Sequence, residues 1–477
     1  MDDALDPDRL FPADPATRAI ARELHALVEQ LPILSPHGHV PASMIVQDEH
    51  FGDPAGLLVS PDHYVTRLIH ASGVPLSGLG AGPGGSIAPR EVWRRFCEAW
   101  PLFDGTASGY WLRTEFASVF GVDETRISGE NSDEVFDAVQ AVLDRPDFRP
   151  RALMDSFGIE VLATTDDPLD TLEDHAALAA DPSFTPRVIP TFRPDPYVNA
   201  FAPGFADRVE RLVAEAGDGQ VGYRGYVRAL QNRREHFIRH GAVSADHGVR
   251  TPLTMKLGDG EAARLFDAAV RGGLSAADRD VFEGHMMYQM ARMSAEDGLV
   301  MTLHPGSFRN HHTPSFERFG ADTGHDIPFA VGFTEGLRPL LNDFGTAGFG
   351  TGRSGTDKPF HLVLFTLDET VFSREVAPLA GFYPSVFIGA PWWFLDAPDA
   401  MQRFRSAVTE TAGFSRSSGF IDDTRAFCSI PARHDASRRV EAGFLARLVA
   451  ERRIRLDRAE EILVDLVDGA PRRVFRL

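Results

Sequence analysis

Cysteine is almost missing from this chain: 477 residues contain two, Cys97 and Cys428, far apart. That count argues against a secreted disulfide framework, and neither cysteine has metal-ligand spacing. Both read as small buried hydrophobes. Positive charge is also in deficit, with 48 Lys and Arg against 68 Asp and Glu and a formal net charge of -20. Nucleic-acid and anionic-membrane surfaces need clustered cations, so neither partner is expected. No apolar run approaches the ~18 residues of a membrane span. The first residues, Met-Asp-Asp-Ala-Leu-Asp, lack the basic start and apolar core of a secretion signal. The cytoplasm is the expected compartment. No Walker motif and no Gly-x-Ser-x-Gly elbow occurs. Gly350, Gly352 and Gly355 spell G-x-G-x-x-G, but they precede a candidate strand and Pro359 follows. A dinucleotide fingerprint must follow a strand and open a helix, so nucleotide binding is not expected. The short basic run at Arg472 and Arg473 reads as solvated surface.

What remains is an ordinary globular composition, 43% apolar and 24% charged. Short apolar runs alternate with longer helical patterns, which argues for βα units and a parallel sheet. Eight candidate strands cover 32–40, 159–166, 187–195, 242–248, 299–306, 361–369, 386–394 and 414–423. Helices are expected over 168–179, opening on Pro168, over 226–240, stopping at Gly241, over 276–296 and over 400–411. On the second, Tyr226, Val227, Leu230, Phe237 and Ile238 fall roughly on one side. Eight such strands suggest a closed (β/α)8 TIM-type barrel, a single domain spanning 1–477. The first repeat is irregular, with over a hundred residues between strands one and two. Residues 89–101 place Trp93, Phe96, Cys97 and Trp100 at helical offsets. Residues 132–143 do the same with Val135, Val139 and Val142, and Asn131 with Glu134 stands like a capping pair. Residues 72–152 therefore read as a helical insertion packed on the barrel. The Gly-rich stretch 345–358 reads as a surface loop.

The strongest chemical signal is His37-Gly38-His39 at the end of the first strand. Strand residues two apart point the same way, and barrel active sites lie at the strands' C-terminal ends. Two converging imidazoles suit a divalent transition metal, usually zinc. Asp422-Asp423-Thr424-Arg425 ends the eighth strand, which stands beside the first once a barrel closes. Asp423 can then complete a His-His-Asp site, though the same residues could cap the following helix.

His-x-His on the first strand with Asp on the eighth resembles the amidohydrolase superfamily. The fuller set resembles uronate isomerase, often called glucuronate isomerase. The matching stretches are LPILSPHGH, PDHY, TFRPD, DHG, LHPGSFRNHH, APWWF and DDTRAF, in order along nearly the whole chain. The resemblance implies metal ligation by His37, His39 and Asp423, with Asp423 also transferring protons. It implies a catalytic or substrate-contacting Tyr64 beside His63, and polar site residues Arg193, Asp246, His304, Arg309 and Arg425. It also implies a site aromatic among Trp392 and Trp393. Asp246-His247, rather than a residue that could be carbamylated, ends strand four, so one metal is expected rather than two.

The side chains agree with a sugar-acid substrate. Arg193, Arg309 and Arg425 are forked donors for a carboxylate or developing oxyanion. Tyr64 sits early in a short helix opened by Ser60-Pro61. The implied reaction is aldose–ketose isomerisation of a hexuronate: D-glucuronate to D-fructuronate, D-galacturonate to D-tagaturonate, or both. A base, first choice Asp423, takes the C2 proton to give a cis-enediol, and a proton is delivered to C1. Tyr64 or His304 is the partner acid or base. One divalent metal, zinc first, orients and polarises. The family implies a homo-oligomer. Two rival readings are a metal-dependent hydrolase of a lactone, ester or amide on the same barrel, and a sugar-acid binding protein without catalysis.

Overall fold

The protein is described here by a computed structural model covering residues 3–82, 87–348 and 359–477. Among the described residues nine strands form: β1 (Ile33–Ser35), β2 (Ile159–Ala163), β3 (Arg187–Ile189), β4 (Ser244–His247), β5 (Val300–Leu303), β6 (Ser307–Phe308), β7 (Ile327–Pro328), β8 (Leu362–Leu364) and β9 (Val386–Ile388). β1-β2-β3 is one parallel sheet and β4-β5-β8-β9 a second, while β6 and β7 pair antiparallel. The architecture is α/β with parallel sheets.

Seven of the expected strands are thus present, each shorter than the sequence suggested. The eighth is not a strand. Phe414–Arg416 is a 3-10 turn, and one parallel bridge joins Ser417 to Ile388. The backbone leaves the ladder where it begins to carry polar site residues. Single bonds continue the pattern between the sheets. Phe192 bridges both Asp166 and Ala245, the Ser418 amide donates to the Ile388 carbonyl (2.9 Å), and the His39 amide donates to the Thr424 carbonyl (3.0 Å).

Strand residues sort by parity. Val300, Val363, Phe365 and Phe387 pack in one cluster, and Val161, Ala163 and Ile189 pack with Leu34 in another. The intervening Met301, Leu303, Leu362, Leu364, Val386 and Ile388 join the cluster built with the helices. Side chains alternate between faces along a strand, so the first two sets share the inner face.

Helices Gly222–Arg239, Ala276–Asp297 and Pro398–Ala412 lie close to the expected positions. Gly298 takes the left-handed conformation (φ 96°) that ends a helix without a Cβ penalty. On the first of these, Tyr226, Leu230 and Phe237 are buried, but Val227 is half-buried and Ile238 is exposed. Pro168 opens no helix; the helix is Glu173–Ala180, preceded by Leu172 at φ 59°. Between β1 and β2 the chain is helical, including Pro89–Glu98, Ala107–Ser118 and Ser132–Leu143. Trp93, Phe96 and Phe116 form its aromatic centre, with Trp93 ring centroids 5.2 and 6.0 Å from the two phenylalanines. The Asn131–Glu134 capping pair is not made: the Asn131 side-chain oxygen accepts from the Ser128 amide at 2.9 Å. Cys97 and Cys428 are free and buried, as expected. Of the Gly-rich stretch 345–358, residues 349–358, including Gly350, Gly352 and Gly355, lie outside the described residues. Among the described residues, no helix is long and apolar enough to cross a membrane.

Candidate active site and metal centre

β1 ends at Ser35, so His37 and His39 do not occupy strand positions. The segment bends after Ser35, and loop bonds fix it instead. Gly38 accepts from the Thr165 hydroxyl at 2.8 Å, and the His39 amide reaches Thr424. The imidazoles lie 5.4 Å apart at 83° and still converge on one acceptor. The Nε2 atoms of His37 and His39 lie 3.1 and 3.0 Å from the same oxygen, Asp423 Oδ1. Asp423 adopts a left-handed backbone (φ 42°), a conformation a non-glycine residue holds only when its surroundings enforce it.

These residues suit a divalent cation. The three ligand atoms lie within 4.8 Å of one another, and Asp423 Oδ1 is buried without an aligned hydrogen bond. Two nitrogens and an oxygen bound to zinc at about 2.0–2.2 Å would stand about 3.4 Å apart, close to what is found. Burial opposes charge on Asp423, yet the two imidazoles hold its carboxyl well below the usual range. Burial lowers His39 toward the neutral, ligating form.

The inner face of β4 and β5 supplies the floor. Asp246 is fully buried and accepts from His304 Nδ1 (2.7 Å) and the Thr302 hydroxyl (2.6 Å), and Arg193 stands 3.4 Å from its second oxygen. Burial would raise Asp246, but His304 and Arg193 hold it well below the ordinary carboxylate range. His304 lies between His37 (4.8 Å) and Phe365, on which it stacks at 4.2 Å and 7°. His37, Asp246 and His304 also come within metal-binding reach of one another. Asp246 Oδ1 is already committed to two donors, so we read this group as support for His37.

Above the floor opens a cavity of about 540 Å³, lined by His39, Asp423, Tyr64, His63, Arg193, Arg309 and Arg425 and by both Trp392 and Trp393. His37, His304 and Asp246 do not line it; they lie beneath. His63 stacks on Tyr64 at 5.2 Å and meets the Trp393 ring at 5.5 Å. Their helix, His63–Ala71, is opened by Asp62, whose carboxylate accepts from the Tyr64 amide at 2.8 Å, rather than by Ser60-Pro61. All three arginines are already engaged. Arg193 donates to Asp195 (2.9 Å), Arg309 to Asp326 (2.8 Å) and Arg425 to Asp322 (3.2 Å).

Sequence reasoning missed Asp322 and Asp326, which lie in an unremarked loop before β7. It also missed Asp396 and Arg433. Tyr64 donates its phenol to Asp396 Oδ2 at 3.1 Å, and Arg433 reaches the same oxygen at 3.2 Å. Asp396 stands two residues past the APWWF stretch, which could have flagged it. Arg433 sits on the helix Ile430–Ala450 without a sequence signal.

A partly buried His-His-Asp cluster beyond the C-terminal ends of parallel strands, beside a cavity edged with arginine, gives this α/β protein an enzyme-type pocket with a ligand set suited to a divalent cation. The glucuronate isomerase family matches residues 15–471. A uronate isomerase from Corynebacterium efficiens is 57% identical over 99% of each chain. The crystal structure of glucuronate isomerase from Caulobacter crescentus superposes with a TM-score of 0.93 at 44% identity, covering 98% of this chain and 96% of that one. Uronate isomerase from Thermotoga maritima gives 0.90 at 28% identity over 99% of each. The chain belongs to the uronate isomerase family, as the sequence motifs implied.

Proposed function

We propose that this enzyme interconverts aldose and ketose hexuronates, D-glucuronate with D-fructuronate and D-galacturonate with D-tagaturonate. One observation carries the reading: His37, His39 and Asp423 converge in the cavity that also presents Tyr64 and three arginines. The bonds linking β3 to β4, β9 to Ser417 and Thr424 to His39 support closure into a (β/α)8-type barrel whose eighth position is held by single bonds rather than a ladder, one domain with residues 72–152 as a helical insertion.

His37, His39 and Asp423 would hold one divalent metal, zinc first by its ligand set. When bound, it supplies Lewis-acid polarisation and orientation of substrate oxygens. Each guanidinium has five N–H donors, so Arg193, Arg309 and Arg425 keep donors for the substrate's carboxylate and hydroxyls beyond those given to aspartates. Asp423 stays ionised and takes the C2 proton, giving a cis-enediol, and returns it to C1. Tyr64 lines the cavity and His304 does not, so Tyr64 is the better partner acid–base for the oxygens. The Trp392 and Trp393 rings wall the sugar. A hydrolase is not favoured, because Asp246 replaces the carbamylated side chain a second metal would need and spends Oδ1 on His304 and Thr302.

The test is a coupled assay with both uronates before and after chelation, together with C2 exchange in deuterated water. Asp423→Asn should abolish exchange while uronate binding stays measurable. Unchanged exchange removes Asp423 from the role, and lactone hydrolysis without isomerisation removes the isomerase reading.

A further inference from the structure

Tyr64 has a partner that the expected reaction does not use. Its hydroxyl donates to Asp396 Oδ2 at 3.1 Å. Asp396 is only 6% exposed and belongs to the turn that also carries Trp393, whose backbone is left-handed (φ 52°). The Asp396 amide donates to the Trp393 carbonyl at 3.2 Å, which fixes the carboxyl against the phenol. Asp396 Oδ1 is buried and has no hydrogen-bond partner. The compensating charge is Arg433, 2% exposed, 3.2 Å away and held by Ser429 at 3.0 Å. The Arg433 guanidinium lies 3.6 Å over the face of Trp111. The charged and titratable groups around Asp396 are therefore Tyr64 from its helix, Arg433 from the long C-terminal helix and Asp423 from the eighth strand's position, while Asp62 and Asp422 act on Arg433, and Arg433 and Asp62 act on Glu115.

We propose that Asp396 is the positioning residue and proton reservoir behind Tyr64, its carboxyl deciding whether the phenol donates to or accepts from the substrate. This rests on the isomerase reading. A protonated Asp396 donates to the phenol oxygen, which turns the Tyr64 hydrogen into the cavity. An ionised Asp396 accepts from the phenol, which turns an oxygen lone pair there instead. Isomerisation needs both orientations. As the C2 proton leaves to Asp423, the Tyr64 proton passes to the C1 carbonyl oxygen and the Asp396 proton passes to Tyr64. That forms the neutral enediol. In the second half the C2 hydroxyl proton passes to Tyr64, the Tyr64 proton returns to Asp396, and Asp423 gives its proton to C1. The C2 carbonyl forms and every group regains its starting proton. Burial, opposed by Arg433, raises the Asp396 carboxyl to about 7, so both states are accessible near neutral pH.

The experiment compares Asp396→Asn, Asp396→Glu, Tyr64→Phe and the Asp396→Asn/Tyr64→Phe double variant in the metal-loaded enzyme, with D-glucuronate and D-galacturonate. An amide cannot relay the proton, so kcat for Asp396→Asn should fall on the order of 100-fold with KM changing less than about threefold. The high-pH limb of kcat should disappear in Asp396→Asn and persist in Asp396→Glu, which also serves if the amide variant does not fold. In the Tyr64→Phe background the second change should cost less than about threefold, because the effect runs through the phenol. Full activity in Asp396→Asn, or an equal loss with Tyr64 present and absent, overturns the proposal. Wild-type enzyme that turns over neither uronate overturns the isomerase reading and the relay with it. Active wild type with a silent Asp396→Asn sinks the relay alone.

Discussion

Asp246→Asn tests the floor of the site. The wild-type carboxylate is fully buried, accepts from His304 at 2.7 Å and Thr302 at 2.6 Å, and faces Arg193 at 3.4 Å. The amide keeps an oxygen for His304 and Thr302 but turns its NH2 toward Arg193, donor against donor. Breaking a buried ion pair on one side costs about 3–5 kcal/mol, and two surviving hydrogen bonds bring the expectation to the low end, about 3 kcal/mol. Thr302→Val, which removes one donor to the charge and leaves the ion pair, should cost about 2 kcal/mol. Because the Asp246 carboxyl is held below its ordinary value of 3.8, its contribution is present above that pH and lost as pH falls through the folded value. The difference between wild type and Asp246→Asn should therefore be constant from pH 5 to 8 and shrink in acid. Denaturant unfolding at fixed protein and metal concentration measures it, and kcat/KM should drop as Arg193 and His304 lose their fixed partner. A stability loss under about 0.5 kcal/mol, or a larger loss in Thr302→Val than in Asp246→Asn, would refute the account of a charge-centred floor.

Two further outcomes follow from the same packing. Burial pushes the Glu115 carboxyl from 4.5 to about 8, so the folded state binds the extra proton between those values and stability falls as pH rises through that window. The loss approaches about 5 kcal/mol at its upper figure, and Glu115→Gln should flatten it and raise stability at pH 8 by at least about 1 kcal/mol. Chemical denaturation at pH 5 and pH 8 decides, and identical pH slopes count against it. At Gly389 an added Cβ would fall 2.3 Å from the buried Phe365 ring, which stacks on His304. Gly389→Ala should cost about 1–3 kcal/mol by overpacking and lower kcat as His304 shifts, read by thermal unfolding and turnover. Unchanged melting and rate would mean that Phe365 moves freely.

The alternation of apolar runs with helical patterns located seven strands because a buried parallel strand is a short, dense apolar signal. The eighth failed because its positions are occupied by Ser417, Ser418 and Gly419, whose backbone makes one bridge rather than a ladder. His37, His39 and Asp423 were legible from motif and place in the chain. The reason given for the histidines was wrong in detail, since they converge through a bent loop and not through strand alternation. Asp246 and His304 were named from motif resemblance alone, and they continue the inner faces of β4 and β5, where alternation along a strand puts them. Arg433, Asp322 and Asp326 were not legible. A lone Arg within a helix, or two Asp in a loop, carries no local pattern, and their role arises only when separate segments meet, as Asp322 meets Arg425, Asp326 meets Arg309 and Arg433 meets Asp396.

That long-range assembly bears on the irregular first repeat. Helix Ala107–Ser118, from the stretch between β1 and β2, supplies Trp111, whose ring carries the Arg433 guanidinium at 3.6 Å and meets Tyr64 edge-on at 5.5 Å. Arg433 donates to Asp396 at 3.2 Å, and Asp396 is the acceptor for Tyr64. A cation–aromatic contact is worth up to about 2 kcal/mol when desolvated, and here it also fixes where the positive charge sits. The helical stretch is thereby tied to the Tyr64 wall of the cavity. A shortened chain lacking it would keep His37, His39 and Asp423 and lose the wall that orients the phenol, so metal binding would outlast turnover.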